Sequence, residues 1–138
     1  QTRRRIEVVA EAPVPVVADR RRIEEVLQNL IDNAAKFSPE DSTITVLVRR
    51  REEDGAAVVS VTDQGRGLAP EEASRVFDRF YQGQQRLYEG RVGLGLGLYI
   101  SREIIRRHGG EIWVESEPGH GATFSFSIPS GGLEFSEP

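Results

Sequence analysis

The sequence predicts an α/β fold in which a mixed, mainly antiparallel sheet of about five strands packs against helices on one face. Strand-like runs occur in two pairs, each joined by a short turn-forming stretch: 43–50 with 56–62, and 111–116 with 122–128. Such pairs are typical of antiparallel hairpins. Other strand candidates are separated by stretches whose apolar residues recur at helical spacing. Hairpins combined with helical connections indicate a mixed sheet under a helical layer.

The first third of the chain supplies two short strands and a long helix. β-branched runs at 6–10 and 14–18 flank prolines, so we predict edge strands at both places. Asp19 suits a helix N-cap, because its carboxylate accepts hydrogen bonds from the first free N–H groups. The helix is expected to run to about Phe37, since the residue before Pro39 disfavours helical backbone.

Two further helices are predicted after the first hairpin. Pro70 suits the first turn of a short helix that ends near Phe77. Apolar spacing predicts a helix over 97–108, which two following glycines end. Residues 78–92 show little periodicity, and we expect a long mobile loop there.

Composition fits one soluble domain. The 138 residues are 38% hydrophobic and 29% charged, and they contain no cysteine, which excludes disulfides and thiolate metal sites. No apolar run approaches the roughly 20 residues that span a bilayer, and the net charge of −4 argues against nucleic acid as the main partner. We expect a domain over 1–129 and a disordered tail over 130–138. The absence of methionine, even at position 1, leads us to expect a piece of a longer or processed chain.

One face of the first helix carries two amides and an ammonium group. Asn29, Asn33 and Lys36 are four and three residues apart, so their side chains lie on the same face. Asn is unfavourable inside a helix, and Lys36 is the only lysine in an arginine-rich chain. Amide oxygens suit Mg²⁺ and a compact positive charge suits phosphate, so this face is a candidate for both. A solvated helix face is the alternative.

Two glycine-rich stretches are candidate nucleotide contacts. Asp63 ends a strand before Gly65 and Gly67, and its carboxylate suits an exocyclic amine such as that of adenine, although a plain turn has the same pattern. Alternating glycines over 93–97 precede a helix, where backbone N–H groups and the helix dipole favour phosphate. This second stretch matches neither the dinucleotide fingerprint nor the P-loop, and a hinge is the alternative.

Two smaller motifs complete the set. Phe77 and Phe80 flank Arg79 just ahead of the predicted loop. They are either core residues or the base of a lid over a nucleotide, with Arg79 available for phosphate. Residues 119–124 open the last strand with small side chains that permit close approach of a ligand, as an ordinary hairpin also would.

The order of these motifs is more specific than any one of them. N-x3-N-x2-K-F, D-x-G-x-G, F-x-R-F, G-x-G-x-G and G-x-G-x-T-F follow one another between about residues 6 and 129. This series resembles the N, G1, F, G2 and G3 boxes of the catalytic domain of sensor histidine kinases, in the larger group that includes gyrase, Hsp90 and MutL. The resemblance implies a two-layer α/β sandwich of the Bergerat type, with ATP between three helices and a mobile lid.

The resemblance also implies roles for individual residues. Mg²⁺ and ATP are the implied cofactors, and the γ-phosphoryl group is transferred by positioning and charge neutralisation. The implied contacts are Mg²⁺ at Asn29 and Asn33; phosphates at Lys36, Arg79 and the G2 run Gly93, Leu94, Gly95, Leu96 and Gly97; and the base at Phe37, Asp63, Gly65, Gly67, Phe80 and Thr123.

The resemblance covers two chemical branches, and one position separates them. The ATP-hydrolysing branch has a glutamate where this chain has Asn29, and an amide cannot act as a general base. A histidine kinase catalytic domain is therefore favoured over an ATPase. A degenerate ATP-binding scaffold and a serine kinase of the anti-sigma type remain as alternatives. The lid departs from the usual pattern at 82–86 and at 91–92, so Arg79, Arg86 and Arg91 rank below the boxes as phosphate contacts.

The phosphoacceptor histidine is expected to lie outside this chain. His108 and His120 are the only histidines; the first suits a helix C-terminus and the second a tight turn. We therefore expect ATP binding without autophosphorylation of this chain. The expected partners are the phosphoacceptor (dimerisation) domain of a parent kinase and a downstream response regulator, without nucleic acid or direct membrane contact, in the cytoplasm.

Overall fold

The computed structural model describes residues 5–10, 13–79 and 96–130, which form five strands and three helices. The strands are β1 (Arg5–Ala10), β2 (Thr43–Arg50), β3 (Ala57–Thr62), β4 (Ile112–Ser116) and β5 (Ala122–Ile128). The helices are α1 (Arg20–Phe37), α2 (Pro70–Ala73) and α3 (Gly97–Arg107). Among these residues, no helix is both long and apolar enough to cross a bilayer.

The five strands form a single mixed sheet in the order β1-β2-β3-β5-β4. β1 and β2 are parallel, and the other three pairs are antiparallel. The connection between the two parallel strands is α1, which is the crossover that a parallel pair requires. The predicted fold class, with its two hairpins, is confirmed.

The hydrophobic core lies between the sheet and the pair α1 and α3. Val26 and Leu30 of α1 and Ile105 of α3 are fully buried, and they belong to the same cluster as Phe124 and Phe126 of β5. β5 supplies the largest core side chains because it lies between β3 and β4. The face of the sheet that carries the odd-numbered residues of β5 is polar, with hydroxyl pairs Ser60–Ser125 and Thr62–Thr123 at 2.8 and 2.9 Å.

The ends of α1 are fixed as the sequence predicts. The Asp19 carboxylate accepts hydrogen bonds from the backbone N–H groups of Arg21 and Arg22 at 3.1 and 3.3 Å. At the other end Ser38 has extended backbone, with φ −94° and ψ 147°, as expected before Pro39. Such a cap contributes about 1 kcal/mol, so it helps to fix where the polar face of the helix begins.

Two predicted elements differ in the structure. Residues 14–18 form no strand, because the prolines at 13 and 15 lack the N–H groups that a ladder needs; Val14 and Val16 instead pack against the core. The helix from Pro70 has four residues and does not reach Phe77. After Ala73 the backbone continues in tighter turns, in which the N–H of Asp78 bonds to the carbonyl three residues back.

Some predictions concern residues outside the described ranges. The predicted mobile loop at 78–92 falls mostly there, and so does the predicted tail at 130–138. Phe80, Gly93, Leu94, Gly95, Arg86 and Arg91 are also outside the described residues.

Candidate functional site

Asn29 joins the middle of α1 to the start of α3. Its Nδ2 donates to the carbonyl oxygen of Gly97 at 3.3 Å and to Oγ of Ser101 at 3.0 Å. Ser101 is fully buried, so this hydrogen bond is shielded from water. Because the amide nitrogen is engaged on the α3 side, the amide has one orientation and its Oδ1 remains available as an acceptor.

Asn33 lies one turn further along the same face of α1. Only 8% of its surface is exposed, and its side chain has no hydrogen-bond partner among the described residues. The amide of Asn33 is not among the described polar atoms that lack both solvent access and a partner, so it still reaches solvent and can bind a ligand there. Lys36, one turn beyond, is half-buried.

Asp63 is a buried carboxylate with one oxygen engaged. It follows β3 directly and is 5% exposed. Its Oδ1 accepts hydrogen bonds from the backbone N–H groups of Gly65 at 2.8 Å and Ala122 at 3.3 Å. Its Oδ2 accepts none from the described residues. Burial raises the pKa of Asp63 above its usual range, and these two hydrogen bonds offset only part of that rise.

The glycines after Asp63 permit contact with protein backbone. A Cβ at Gly65 would lie 2.3 Å from the carbonyl oxygen of Phe37, at the end of α1. Gly67 has a φ of +76°, and a Cβ there would lie 2.1 Å from the carbonyl oxygen of Glu117. The two glycines therefore hold the loop 63–67 against α1 on one side and against the β4–β5 turn on the other.

These contacts define a frame along the polar face of α1. The start of α3 borders this face at Asn29, and the loop 63–67 borders it at Phe37. Phe37 is eight residues after Asn29, which corresponds to about 12 Å of helix axis. Asn33 and Lys36 lie within that length, so the structure brings the predicted metal, phosphate and base residues of α1 to one region.

The start of α3 has the features of an anion site. The N-cap residue is Leu96, which provides no side-chain hydrogen bond, so with respect to the described residues the first N–H groups of the helix keep their donor capacity. A Cβ at Gly97 would lie 3.9 Å from Cγ of Asn29, which is an ordinary contact. Of the predicted glycine run, the described residues include only Leu96 and Gly97, and Gly97 lies beside Asn29.

The described part of the F box is anchored to the core and to α3. The ring of Phe77 packs edge-on against Phe124, with centroids 5.9 Å apart. The guanidinium of Arg79 lies 5.7 Å from the centroid of the Tyr99 ring on α3. Phe77 is therefore a core residue, and Arg79 lies beside the first turns of α3.

Thr123 is not part of this site. Side chains alternate along β5, and Thr123 lies on the opposite face of the sheet from Phe124, where its hydroxyl pairs with that of Thr62. Its neighbour Ala122 contacts the site instead, through the backbone N–H that bonds to Asp63. Strand alternation in the sequence could have identified Ala122.

Ser101 is a site residue that the sequence prediction missed. It supports Asn29 and is fully buried. The available signal was a small polar residue four positions after Gly97, on the apolar face of a predicted helix.

A family model described as "Histidine kinase-, DNA gyrase B-, and HSP90-like ATPase" matches residues 18–132 of the chain. The sensor histidine kinase WalK of Bacillus subtilis (strain 168) is 40% identical over 114 residues. That match covers 83% of this chain and 19% of WalK. The chain thus spans about a fifth of this relative's length.

Solved structures show the same fold. The catalytic domain of the histidine kinase ThkA, in a nucleotide-free form, superimposes with a TM-score of 0.78 at 32% identity, covering 93% of this chain and 81% of that one. Full-length ShkA in complex with AMPPNP gives a TM-score of 0.80 at 31% identity, covering 94% of this chain and 26% of ShkA.

Proposed function

Because the chain belongs to the family of histidine kinase-, DNA gyrase B- and HSP90-like ATPases, we propose that it is the catalytic, ATP-binding domain of a two-component sensor histidine kinase. The observation that carries the proposal is the frame between Asn29 and Phe37. The start of α3, with the features of an anion site, borders one end at Asn29, the amide of Asn33 lies one turn further along, and the buried carboxylate of Asp63, with one free oxygen, belongs to the loop that borders the other end.

The base of ATP is assigned to Asp63. Its Oδ1 is held by the N–H groups of Gly65 and Ala122, so Oδ2 accepts from the exocyclic amine of adenine. Since the carboxylate is buried, this charge-assisted hydrogen bond forms in a low-dielectric setting where it is strong. Phe37 and the loop 63–67 form the adjacent wall.

Mg²⁺ is assigned to the amide oxygens of Asn29 and Asn33. The described residues contain no cluster of three His, Asp or Glu side chains suited to a metal, so the ion depends on these amides together with phosphate oxygens. The unpartnered amide of Asn33 and the oriented amide of Asn29 fit that donor set. When bound, the ion neutralises charge on the phosphates.

The phosphates are assigned to the start of α3 and to Lys36. The N–H groups at Gly97 and Leu98 and the positive end of the helix dipole favour the anionic groups. Lys36 lies between this end and Asp63 along α1, and Arg79 lies beside Tyr99 on α3. These cations offset the charge that the transferred phosphoryl group carries.

The site positions ATP without activating water. Asn29 has no basic group, and its nitrogen is already bonded to Gly97 and Ser101. The γ-phosphoryl group is therefore transferred to a ring nitrogen of an incoming histidine. A P–N bond forms to this nitrogen, the bond between the γ-phosphorus and the bridging oxygen of the β-phosphate breaks, and ADP leaves. This transfer depends on in-line positioning of the acceptor.

The acceptor histidine belongs to a separate domain. His108 Nε2 accepts the N–H of Asp19 at 3.0 Å, so Nδ1 carries the proton and donates to the carbonyl oxygen of Ile104 at 2.9 Å. Both nitrogens are thus engaged. His120 lies exposed in the β4–β5 turn, outside the frame. The partners are the phosphoacceptor domain of a parent kinase and a response regulator downstream, in the cytoplasm.

Calorimetry with a non-hydrolysable ATP analogue tests the nucleotide site. We expect binding that requires Mg²⁺, and Asn33→Asp should change its metal dependence. Asp32→Asn is the matched control, since Asp32 is an exposed neighbour whose carboxylate accepts from Gln28 at 2.8 Å. No binding at millimolar nucleotide, or equal effects of both substitutions, would contradict the assignment.

Transfer is tested by adding labelled ATP and a histidine-containing helical domain. We expect label on the added domain only. Label on the chain itself at His108 or His120, or transfer to a serine-bearing antagonist protein instead, would overturn the histidine kinase assignment.

A further inference from the structure

Ser101 is a buried hydroxyl on the apolar face of α3. The buried residues of this helix are Leu98, Ser101, Ile104 and Ile105, and the other three are aliphatic members of the core. Ser101 itself has no exposed surface. A buried hydroxyl is costly unless a hydrogen bond compensates for the water that it loses, whereas an alanine in the same place has no such cost. The serine at this position therefore calls for an explanation in terms of the group that it contacts.

That group is the amide of Asn29 on α1. Its Nδ2 donates to Oγ of Ser101 at 3.0 Å and to the carbonyl oxygen of Gly97 at 3.3 Å. The amide nitrogen has two N–H donors, and α3 offers these two oxygens to them as acceptors. A carbonyl oxygen can only accept, so Gly97 disfavours the reversed amide, and the shorter bond to Ser101 strengthens the observed orientation. The Oδ1 of Asn29 is thereby directed away from these two acceptors.

The orientation of this amide decides whether Asn29 can bind a cation. An amide oxygen is a suitable ligand for Mg²⁺, whereas an amide nitrogen carries two hydrogens and repels a cation. A side chain that is already held with its oxygen toward the ion needs no reorientation when the ion binds. Loss of such an orienting partner typically lowers metal affinity by about 10- to 100-fold. The hydroxyl of Ser101 is placed to have this effect through Asn29.

We propose that Ser101 is a positioning residue for Mg²⁺, which holds the amide of Asn29 so that Oδ1 and not Nδ2 is presented to the ion. The identity of the metal rests on the proposed function. The inference extends that function because the hydroxyl belongs to α3, whereas both amides assigned to the metal belong to α1. Asn29 therefore has the orientation of a ligand only while α3 is packed on α1, and α1 alone does not complete the metal site.

The contact between the two side chains is tested first without metal or nucleotide. In the ¹⁵N-labelled chain, the side-chain amide signal of Asn29 is assigned by NMR from its loss in Asn29→Asp. We expect the amide protons of Asn29 to exchange with solvent at least about threefold faster in Ser101→Ala, because one of their acceptors is removed. Unchanged exchange would overturn the proposal, whatever the chain binds.

The effect on the metal is measured by calorimetry with a non-hydrolysable ATP analogue at a series of Mg²⁺ concentrations. The Mg²⁺ concentration that gives half-maximal binding should rise about tenfold in Ser101→Ala, the lower end of the usual range because the contact with Gly97 remains. At excess Mg²⁺ the affinity for the analogue should return to the native value. Ser101→Thr keeps the hydroxyl, so it should need less Mg²⁺ than Ser101→Ala even if its extra methyl group lowers the unfolding temperature.

Ser125→Ala is the matched control. Ser125 is also buried, at 2% exposure, and its hydroxyl pairs with that of Ser60 at 2.8 Å on the other face of the sheet. This variant should unfold at a lower temperature than the native chain but keep the native Mg²⁺ dependence. Equal shifts in Mg²⁺ dependence for Ser101→Ala and Ser125→Ala, or no advantage of Ser101→Thr over Ser101→Ala, would overturn the proposal and leave the proposed function intact. Absence of Mg²⁺-dependent binding in the native chain would refute the proposed function and this inference with it.

Discussion

Replacing Asp63 by Asn should change which base the nucleotide site prefers. In the native site the N–H groups of Gly65 and Ala122 both bond to Oδ1 of Asp63. An asparagine keeps these two bonds through its own Oδ1, so its Nδ2 takes the position of the free carboxylate oxygen. The group that faces the base then donates hydrogen bonds, whereas the carboxylate accepted them.

The magnitude follows from the loss of one charge-assisted hydrogen bond. Such a bond contributes about 1.5–3 kcal/mol, which corresponds to a fall in ATP affinity of about 10- to 100-fold. Inosine triphosphate has a carbonyl oxygen at the position of the adenine amine, so it should bind the variant better than it binds the native chain. The ratio of the two affinities should therefore shift by more than either affinity alone.

Calorimetric titration with ATP and inosine triphosphate analogues measures this ratio in the native chain, Asp63→Asn and the control Asp32→Asn. Thermal unfolding checks that each variant is folded. If Asp63→Asn binds both nucleotides more weakly by the same factor, or if it keeps native ATP affinity, Asp63 does not contact the exocyclic amine and the site assignment fails.

Four further predictions concern the stability of the structure around the site. At neutral pH the Asp63→Asn variant should unfold at a higher temperature than the native chain, because it lacks a buried charge. The difference in unfolding temperature should shrink as the pH falls through the raised pKa of Asp63, because the native carboxyl then becomes neutral. Thermal unfolding of both proteins across a range of pH measures this difference. In urea denaturation, Gly67→Ala should lower the free energy of unfolding by more than Gly119→Ala. Both glycines have positive φ, but a Cβ at Gly119 would meet nothing within 4 Å, whereas one at Gly67 would meet the backbone of Glu117. Equal losses of unfolding free energy in the two variants would contradict this contact. Asp19→Ala should lower the free energy of unfolding by about 1 kcal/mol through loss of the cap, and an unchanged urea midpoint would show that the cap contributes nothing. His108→Ala should destabilise by about 1 kcal/mol because the Asp19 N–H loses its acceptor, while His120→Ala, at an exposed turn, should have little effect on the same transition.

Elements whose sequence pattern is local were predicted well. Asp19 and Pro39 fix the ends of α1, and both hairpins follow from β-branched runs that flank short turns. The run 14–18 has the same composition as a strand, but its prolines and the surface it packs on decide otherwise. The early end of α2 depends on a change from α-helical to tighter hydrogen bonds after Ala73, which its residue types do not specify.

The site was predictable to the extent that its residues share one helix or one loop. Asn29 and Asn33 lie on one face of α1 because of helical periodicity alone, and Asp63 ends a strand as expected. Contacts between elements were not predictable in the same way. Ser101 reaches Asn29 only because α3 packs on α1, and Thr123 is excluded because the register of β5 against β3 places it on the other face.

The position of β5 in the sheet has a consequence for synthesis on the ribosome. β5 is the last strand of the described residues, yet it lies between β3 and β4 and carries Phe124 and Phe126 into the core. While the chain is being made, β4 emerges with no strand to pair with, and β3 has one open edge. The core therefore closes only after residue 128 has been released, and we expect a nascent chain that stops before β5 to be recognised by chaperones and proteases as unfolded.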